Sequence, residues 1–124
     1  MLRVSDVSAG YGRVVILQNI SLTVNRGEVV TIIGSNGAGK TTLLRTISGL
    51  VKPSQGEVAF EGERCSRLAP ADIVGRGLVM VPEGRQLFPA MSVRDNVLMG
   101  CYHPAVRKGS AQRLKEVLEL FPRV

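Results

Sequence analysis

The sequence predicts an α/β fold built around a phosphate-binding loop, and three adjoining stretches support this prediction. The first is an apolar, β-branched run at residues 28–33, as expected of a buried parallel strand. The second is GSNGAGKT at residues 34–41, which fits the pattern G-x-x-x-x-G-K-[ST] without a mismatch. The third is an apolar pattern at helical spacing that begins near Lys40. Strand, glycine-rich loop and helix in this order are typical of nucleotide phosphate sites.

The glycines of the loop allow its backbone to turn N–H groups inward around an anion. The predicted helix runs to about Ser48 and stops at Gly49. Its N-terminus would face the phosphates, where unpaired N–H groups and the positive end of the dipole favour negative charge. We expect Lys40 to reach the β- and γ-phosphates and the Thr41 hydroxyl to bind Mg²⁺. The alternative is a glycine-rich turn that merely resembles this pattern.

Upstream of the loop, the chain reads as an antiparallel meander. Residues 2–5 alternate apolar and polar, Tyr11 and Gly12 predict a turn, and alternation resumes through residues 20–24. Tyr11 lies in the turn and not on an apolar face. Stacking on a base and an ordinary turn tyrosine are both consistent with that position.

Downstream, residues 51–56 predict a turn and residues 57–62 a short strand. Residues 70–74 predict a short helix, and residues 78–81 a second buried strand. Glu83 follows at the carboxyl edge of that strand, where open α/β sheets bind ligands. The alternative for Glu83 is an exposed loop carboxylate.

Two more helices are predicted near the end of the sequence. Ser92 begins the first, because Ser92 and Asp95 fit the S-x-x-[DE] start signal. A basic, irregular link follows at residues 105–109, and the last helix begins at Ser110 and ends before Pro122.

Composition limits the possible partners. No apolar run approaches the roughly 20 residues of a membrane span, and the first residues lack the apolar block of a signal peptide, so we expect a cytoplasmic protein. The net charge of +6 indicates an anionic partner. The basic residues are scattered and not interleaved with aromatics, so we expect nucleotide phosphates or an acidic membrane face, and no nucleic acid.

From Leu2 to about Val124 the chain resembles the N-terminal part of an ABC transporter ATP-binding subunit, a P-loop NTPase. A narrower similarity, to the subunits of branched-chain amino acid importers and the similar ones of urea importers, is carried by SNGAG at 35–39, VPEGR at 81–85, LFP at 87–89 and MSVRDN at 91–96. The resemblance implies an α/β ABC ATPase nucleotide-binding domain with an N-terminal antiparallel β subdomain, incomplete at the C-terminus.

The resemblance assigns roles to individual residues. Tyr11 matches the aromatic residue that stacks on adenine. The Walker A loop, which binds ATP, corresponds to Gly34, Ser35, Asn36, Gly37, Ala38, Gly39, Lys40, Thr41 and Thr42. Glu83 falls at the Q-loop position, where the family normally has a glutamine that touches Mg²⁺. A carboxylate can also bind Mg²⁺, so Thr41 and Glu83 are the implied metal ligands. The segment from Arg85 to Asn96 would lie against the coupling region of the permease.

The resemblance also shows what residues 1–124 lack. The family hydrolyses ATP between the Walker A loop of one subunit and the Leu-Ser-Gly-Gly-Gln signature of another, using a glutamate after the Walker B aspartate and a downstream histidine. No residue here matches these motifs, and His103 comes too early for that histidine. We therefore expect one nucleotide-binding domain in part, with the catalytic glutamate and histidine beyond Val124. An isolated chain of this kind would be marginally stable and bind ATP weakly, because its apolar strands would lack neighbours.

The implied function is ATP binding and hydrolysis, with ATP and Mg²⁺ as cofactors, that energises uptake of branched-chain amino acids through separate membrane permease subunits. The implied partners are a second ATP-binding subunit in a homo- or heterodimer, the permease subunits and, indirectly, a periplasmic or extracellular substrate-binding protein. The protein would lie on the inner face of the cell membrane. The alternatives are an importer of urea or another amide or amino acid of the same branch, and a truncated, non-hydrolytic nucleotide-binding fragment.

Overall fold

A computed structural model describes residues 1–84 and 86–122. Contacts divide the chain into two compact units, Met1–Met80 and Val81–Val124. The first unit contains an antiparallel sheet, two helices and the predicted phosphate-binding loop. In the second unit, the regular structure of the described residues consists of helices. In the described ranges, no helix has both the length and the apolar character needed to cross a membrane.

The sheet of the first unit consists of β1 (Leu2–Tyr11), β2 (Val14–Val24), β3 (Pro53–Phe60) and β4 (Glu63–Arg64). Its strand order is β2-β1-β3-β4, and every neighbouring pair is antiparallel. The predicted N-terminal meander is confirmed, because β1 and β2 form a hairpin in which Tyr11 pairs with Val14. Gly12 takes a φ of 58° in the turn, a conformation that glycine adopts at little cost.

Strand β3 is longer than predicted, and the predicted turn at residues 51–56 is therefore partly wrong. β3 begins at Pro53, which pairs with Ala9; proline is tolerated as the first residue of a strand. Gly56 is a strand residue with a φ of 76°. A Cβ on Gly56 would lie 2.3 Å from the carbonyl oxygen of Asp6, so the glycine allows the close approach of β1 where the register of the two strands shifts.

Helix α1 (Lys40–Ile47) is confirmed, with Ser48 as its C-cap and Gly49 following at a φ of 77°. Its buried residues are Thr42, Leu43, Thr46 and Ile47. The Thr46 hydroxyl donates to the carbonyl oxygen of Thr42 at 2.8 Å, so this buried polar group has a partner. The core joins this helix face to the sheet and to α2 (Pro70–Gly75) through Leu2, Val4, Val7, Ala9, Leu17, Leu43, Ile47, Val51, Val58, Phe60, Cys65 and Ile73.

The two predicted buried strands, residues 28–33 and 78–81, are not present as strands, and both predictions are wrong. Val29 and Ile33 are 93% and 91% exposed, and Val81 is 89% exposed. The physical reason is the absence of pairing partners: in the described part of the chain, no strand lies beside either segment. A parallel strand is stabilised by neighbours on both sides and by cover on both faces, and its sequence pattern does not supply them.

The second unit contains α3 (Val93–Met99), α4 (Pro104–Arg107) and α5 (Ser110–Leu120). The predicted cap is confirmed, because the Ser92 hydroxyl accepts a hydrogen bond from the backbone N–H of Asp95 at 3.1 Å. The predicted irregular link at residues 105–109 is partly wrong. Its first residues form the short helix α4, which Pro104 begins, as proline favours the first helical position.

Candidate functional site

The predicted phosphate-binding loop lies between the exposed segment 28–33 and helix α1. Two of its glycines take left-handed backbone conformations, Gly37 with a φ of 84° and Gly39 with a φ of 92°. Gly39 is also the N-cap of α1, and no side chain caps this helix. An L-amino acid with a Cβ would be strained at both positions, so the glycine pattern matches the backbone shape of the loop.

The end of the loop is packed against strand β2. A Cβ on Gly39 would lie 2.9 Å from Leu17 Cδ2 and 3.2 Å from Ile16 Cγ2. Leu17 is buried in the core, so it is a firm surface for the start of α1. Neither residue was predicted from the sequence to be part of the site. The available signal was that both belong to the apolar run at residues 14–17, which indicates burial but not the contact partner; Leu17 is buried, whereas Ile16 is 38% exposed.

The Lys40 side chain folds back over the beginning of the loop. Its ammonium group donates to the carbonyl oxygens of Gly34 and Ser35, each at 2.7 Å. An ammonium group has three N–H donors, so one remains for a phosphate oxygen. The two bonds hold a positive charge beside the loop before any ligand arrives.

Backbone amides at the start of α1 supply the second half of an anion site. The N–H groups of Ala38 and Leu43 donate to the carbonyls of Ser35 and Gly39. Within residues 1–84 and 86–122, the N–H groups of Lys40, Thr41 and Thr42 donate to no group, as is usual for the first turn of a helix. The first turn also carries no acidic residue. Free amides at the positive end of the dipole, beside an ammonium group, favour a phosphate ligand.

The residues present therefore fit a magnesium nucleoside triphosphate. The loop is open at Gly37, since a Cβ there would have no neighbour within 4 Å. Thr41 is exposed, so its hydroxyl is accessible to a cation. Mg²⁺ is commonly held by one or two protein oxygens together with water and phosphate oxygens, and the Thr41 hydroxyl would be such a protein ligand.

Tyr11 lies beside helix α1. Its ring, 45% exposed, ends β1, and Arg45 Nη1 donates to the phenol oxygen at 3.3 Å. Arg45 and then the Thr42 side chain, through their hydrogen bonds, hold the pKa of Tyr11 below its ordinary value. Tyr11 thus lies beside α1, the helix that begins with residues of the predicted ATP-binding loop. Arg45 was not identified from the sequence, because one arginine in an amphipathic helix gives no signal of a distant contact.

Glu83, the predicted Q-loop residue and metal ligand, lies in the second unit with its side chain exposed. In the described ranges, its carboxylate takes part in no ion pair. Its role toward Mg²⁺ remains a prediction. Arg85, the first residue of the segment predicted to face a permease, lies outside the described residues.

The rest of that segment is organised by Asn96. Its Nδ2 donates to the carbonyl oxygens of Phe88, Met91 and Ser92 at 3.1, 3.3 and 3.0 Å. Its Oδ1 accepts from the backbone N–H of Phe88 at 2.9 Å. This one side chain therefore ties the loop before α3 to the helix, while Leu87 and Phe88 stay exposed. Asn96 belongs to the motif at residues 91–96, but its role in this loop was not predicted from the sequence.

Comparison with known proteins gives a consistent result. The family model described as ABC transporter matches residues 17–124. The high-affinity branched-chain amino acid transport ATP-binding protein BraG of Pseudomonas aeruginosa is 40% identical over 124 residues, which are 100% of this chain and 53% of that protein. The Fe(3+) ions import ATP-binding protein FbpC 1 of Haemophilus influenzae is 38% identical over 120 residues, covering 96% of this chain and 36% of that protein. The chain thus spans about half the length, or less, of these relatives.

Solved structures agree on the fold. The chain is similar to MJ1267, an ATP-binding cassette of an ABC transporter, with a TM-score of 0.74 and 34% identity over 84% of this chain and 41% of that chain. It is also similar to the ATP-binding cassette MJ0796 bound to ADP and Pi, described as a dimeric post-hydrolysis state. That match has a TM-score of 0.73 and 25% identity over 96% of this chain and 56% of that chain.

Proposed function

We propose that this chain, which belongs to the ABC transporter family, binds ATP with Mg²⁺. It would supply the Walker A half of an importer's ATPase site. The observation that carries this proposal is the grouping of three features at the start of α1. These are the free N–H groups of Lys40, Thr41 and Thr42, the Lys40 ammonium group, and the left-handed glycines Gly37 and Gly39 that shape the loop. Each feature favours a polyphosphate, and all three lie within residues 34–42.

In this proposal, the loop amides and Lys40 hold the phosphates, the Thr41 hydroxyl contributes one ligand to Mg²⁺, and Tyr11 stacks on adenine. The bound Mg²⁺ would neutralise charge that develops on the phosphates during hydrolysis. Glu83, at the Q-loop position, would bind Mg²⁺ through its carboxylate. Residues 1–124 contain no match to the catalytic glutamate or histidine of the family, so the role proposed for these residues is ATP binding, and hydrolysis is proposed for the assembled transporter.

The proposed substrate class is branched-chain amino acids. The support is the relative BraG, whose match covers the whole chain, together with the motifs at residues 81–89 and 91–96. Other relatives are named as importers of Fe(3+) ions and of spermidine or putrescine, so the family alone does not decide the substrate. Urea or another amide remains the alternative within the same branch, and a non-hydrolytic nucleotide-binding fragment is the alternative of a different kind.

The proposed partners follow from the same premise. A second ATP-binding subunit would complete the ATPase site, and permease subunits would contact the segment that ends at Asn96. A substrate-binding protein would act indirectly, from the other side of the membrane. The protein would then work at the inner face of the cell membrane.

The first experiment tests nucleotide binding with Lys40→Ala and a matched control, Lys115→Ala. Lys115 lies on α5 and forms a surface ion pair with Glu119, with 71% of its own side chain exposed. Charge-assisted hydrogen bonds contribute about 1.5–3 kcal/mol, so Lys40→Ala is expected to weaken Mg²⁺-ATP binding by about tenfold to a hundredfold or more. Calorimetric titration measures both variants. Equal affinities in the two variants and the wild type would refute the proposal.

A second experiment tests the substrate. The protein is combined with its permease and substrate-binding partners in lipid vesicles, and ATP hydrolysis is measured with leucine, isoleucine, urea or no solute. Stimulation by the two amino acids supports the proposed class. Stimulation by urea alone would replace it with the alternative.

A further inference from the structure

Arg45 forms the contact that joins the Tyr11 ring to the phosphate-binding helix. We propose that Arg45 is a positioning residue for the nucleotide base, which holds the Tyr11 ring in place to receive adenine. The inference rests on the proposed function and adds a residue that the Walker A pattern does not contain.

The backbone of Tyr11 is already fixed by the hairpin. Tyr11 pairs with Val14, and a Cβ on the preceding Gly10 would lie 1.9 Å from the Val14 carbonyl oxygen, so the two strands approach closely here. The side chain is not fixed in the same way, because 45% of its surface is exposed. Its ring can rotate unless something holds its outer end. The Arg45 guanidinium supplies that hold, at 3.3 Å from the phenol oxygen.

Arg45 is itself firmly placed. It lies on α1 three residues after Thr42 and four after Thr41, so the three side chains occupy neighbouring positions on the helix surface. Its carbonyl oxygen accepts from the backbone N–H groups of Leu50 and Val51, which ties this turn of the helix to the following chain. Among the described residues, the guanidinium group forms no ion pair with a carboxylate. No carboxylate therefore competes with Tyr11 for its N–H donors. One short helix thereby carries both the phosphate-binding residues and the group that orients the base-binding ring.

A Tyr11 ring that is already ordered binds adenine more tightly than a mobile one. The loss of side-chain conformational entropy has then occurred before ATP binds. Immobilising a side chain on binding costs enough to change affinity by about twofold to tenfold. That is the expected weakening of ATP binding in Arg45→Met, which keeps an unbranched side chain and the helix preference of arginine and removes its donors. Inorganic tripolyphosphate has no base, so its affinity is expected to stay unchanged.

The test measures binding of Mg²⁺-ATP and of Mg²⁺-tripolyphosphate to the wild-type protein and to Arg45→Met, Tyr11→Phe and the double variant. If Arg45 acts through the phenol oxygen, Tyr11→Phe weakens ATP binding to a similar extent and the double variant is no weaker than either single one. Arg67→Ala is the control, because Arg67 is an exposed arginine that lies between β4 and α2 and not on α1. Circular dichroism checks that α1 and the sheet remain folded in each variant.

The outcomes separate this inference from the proposed function. Weaker binding of ATP and tripolyphosphate alike in Arg45→Met would overturn the inference, since Arg45 would then act on the phosphates. ATP binding that Lys40→Ala weakens and Arg45→Met leaves unchanged would also overturn it, while the proposed function would stand. A wild-type protein that binds neither ligand would overturn both.

Discussion

The substitution Gly39→Ala tests whether the phosphate-binding loop is held by backbone conformation and by contact with the sheet. Gly39 has a φ of 92°, and an added Cβ would lie 2.9 Å from Leu17 Cδ2 and 3.2 Å from Ile16 Cγ2. The conformation alone costs an L-residue about 1–2 kcal/mol. Forcing a methyl group against the buried Leu17 adds an overpacking cost of about 1–3 kcal/mol. We expect Gly39→Ala to lower the free energy of unfolding by about 2–5 kcal/mol in total.

Gly77→Ala is the matched control for this experiment. Gly77 has the same φ of 92° and belongs to the same unit, but a Cβ there would have no neighbour within 4 Å. It should therefore show the conformational cost of about 1–2 kcal/mol without the contact cost. Urea unfolding followed by circular dichroism gives the free energy for each variant, and calorimetry gives ATP affinity. We expect loss of affinity in Gly39→Ala alone. Equal destabilisation of the two variants, with equal ATP affinity, would refute the reasoning that the contact with β2 shapes the loop.

Three further predictions concern other parts of the chain. Arg45→Met should raise the pKa of Tyr11 toward its ordinary value, because the main cause of lowering is removed; NMR titration of the Tyr11 ring measures it, and an unchanged pKa would contradict the contact. Ser92→Ala should lower the stability of α3 by about 1 kcal/mol through loss of the bond from Asp95 N–H, whereas Ser92→Thr should retain most of it; hydrogen exchange of α3 amides compares the two. Ile73→Ala should cost about 2–5 kcal/mol in thermal or urea unfolding, because its side chain is 1% exposed; a cost below 1 kcal/mol would contradict its place in the core.

Local chemistry explains why parts of the fold could be predicted. The phosphate loop, the start of α1 and its stop at Gly49 depend on glycine conformations and on hydrogen bonds between residues close in sequence. The Ser92 cap is local in the same sense, and so is the β1–β2 hairpin with its turn at Gly12. For such features, the residue types at a given spacing determine the outcome.

The two predicted strands that are not present show the limit of this reasoning. Residues 28–33 and 78–81 have the composition of buried parallel strands, yet a strand is completed by partners that the pattern cannot name. Where no partner lies alongside, the same residues are exposed, as Val29 and Val81 are. Composition indicated that these segments could be buried strands, and without a pairing strand among the described residues most of their side chains are exposed, although Leu78 packs partly against the core.

The features of the candidate site also differ in whether the sequence alone predicts them. The sequence by itself determined the phosphate-binding loop and its lysine, because the free amides, the glycine conformations and the charge of Lys40 all arise within a few residues. Only the tertiary structure placed Leu17 against Gly39 and Arg45 beside Tyr11, which are 22 and 34 positions apart. Such contacts depend on how a helix packs on a sheet, and packing is set by the whole core and not by any short stretch of sequence.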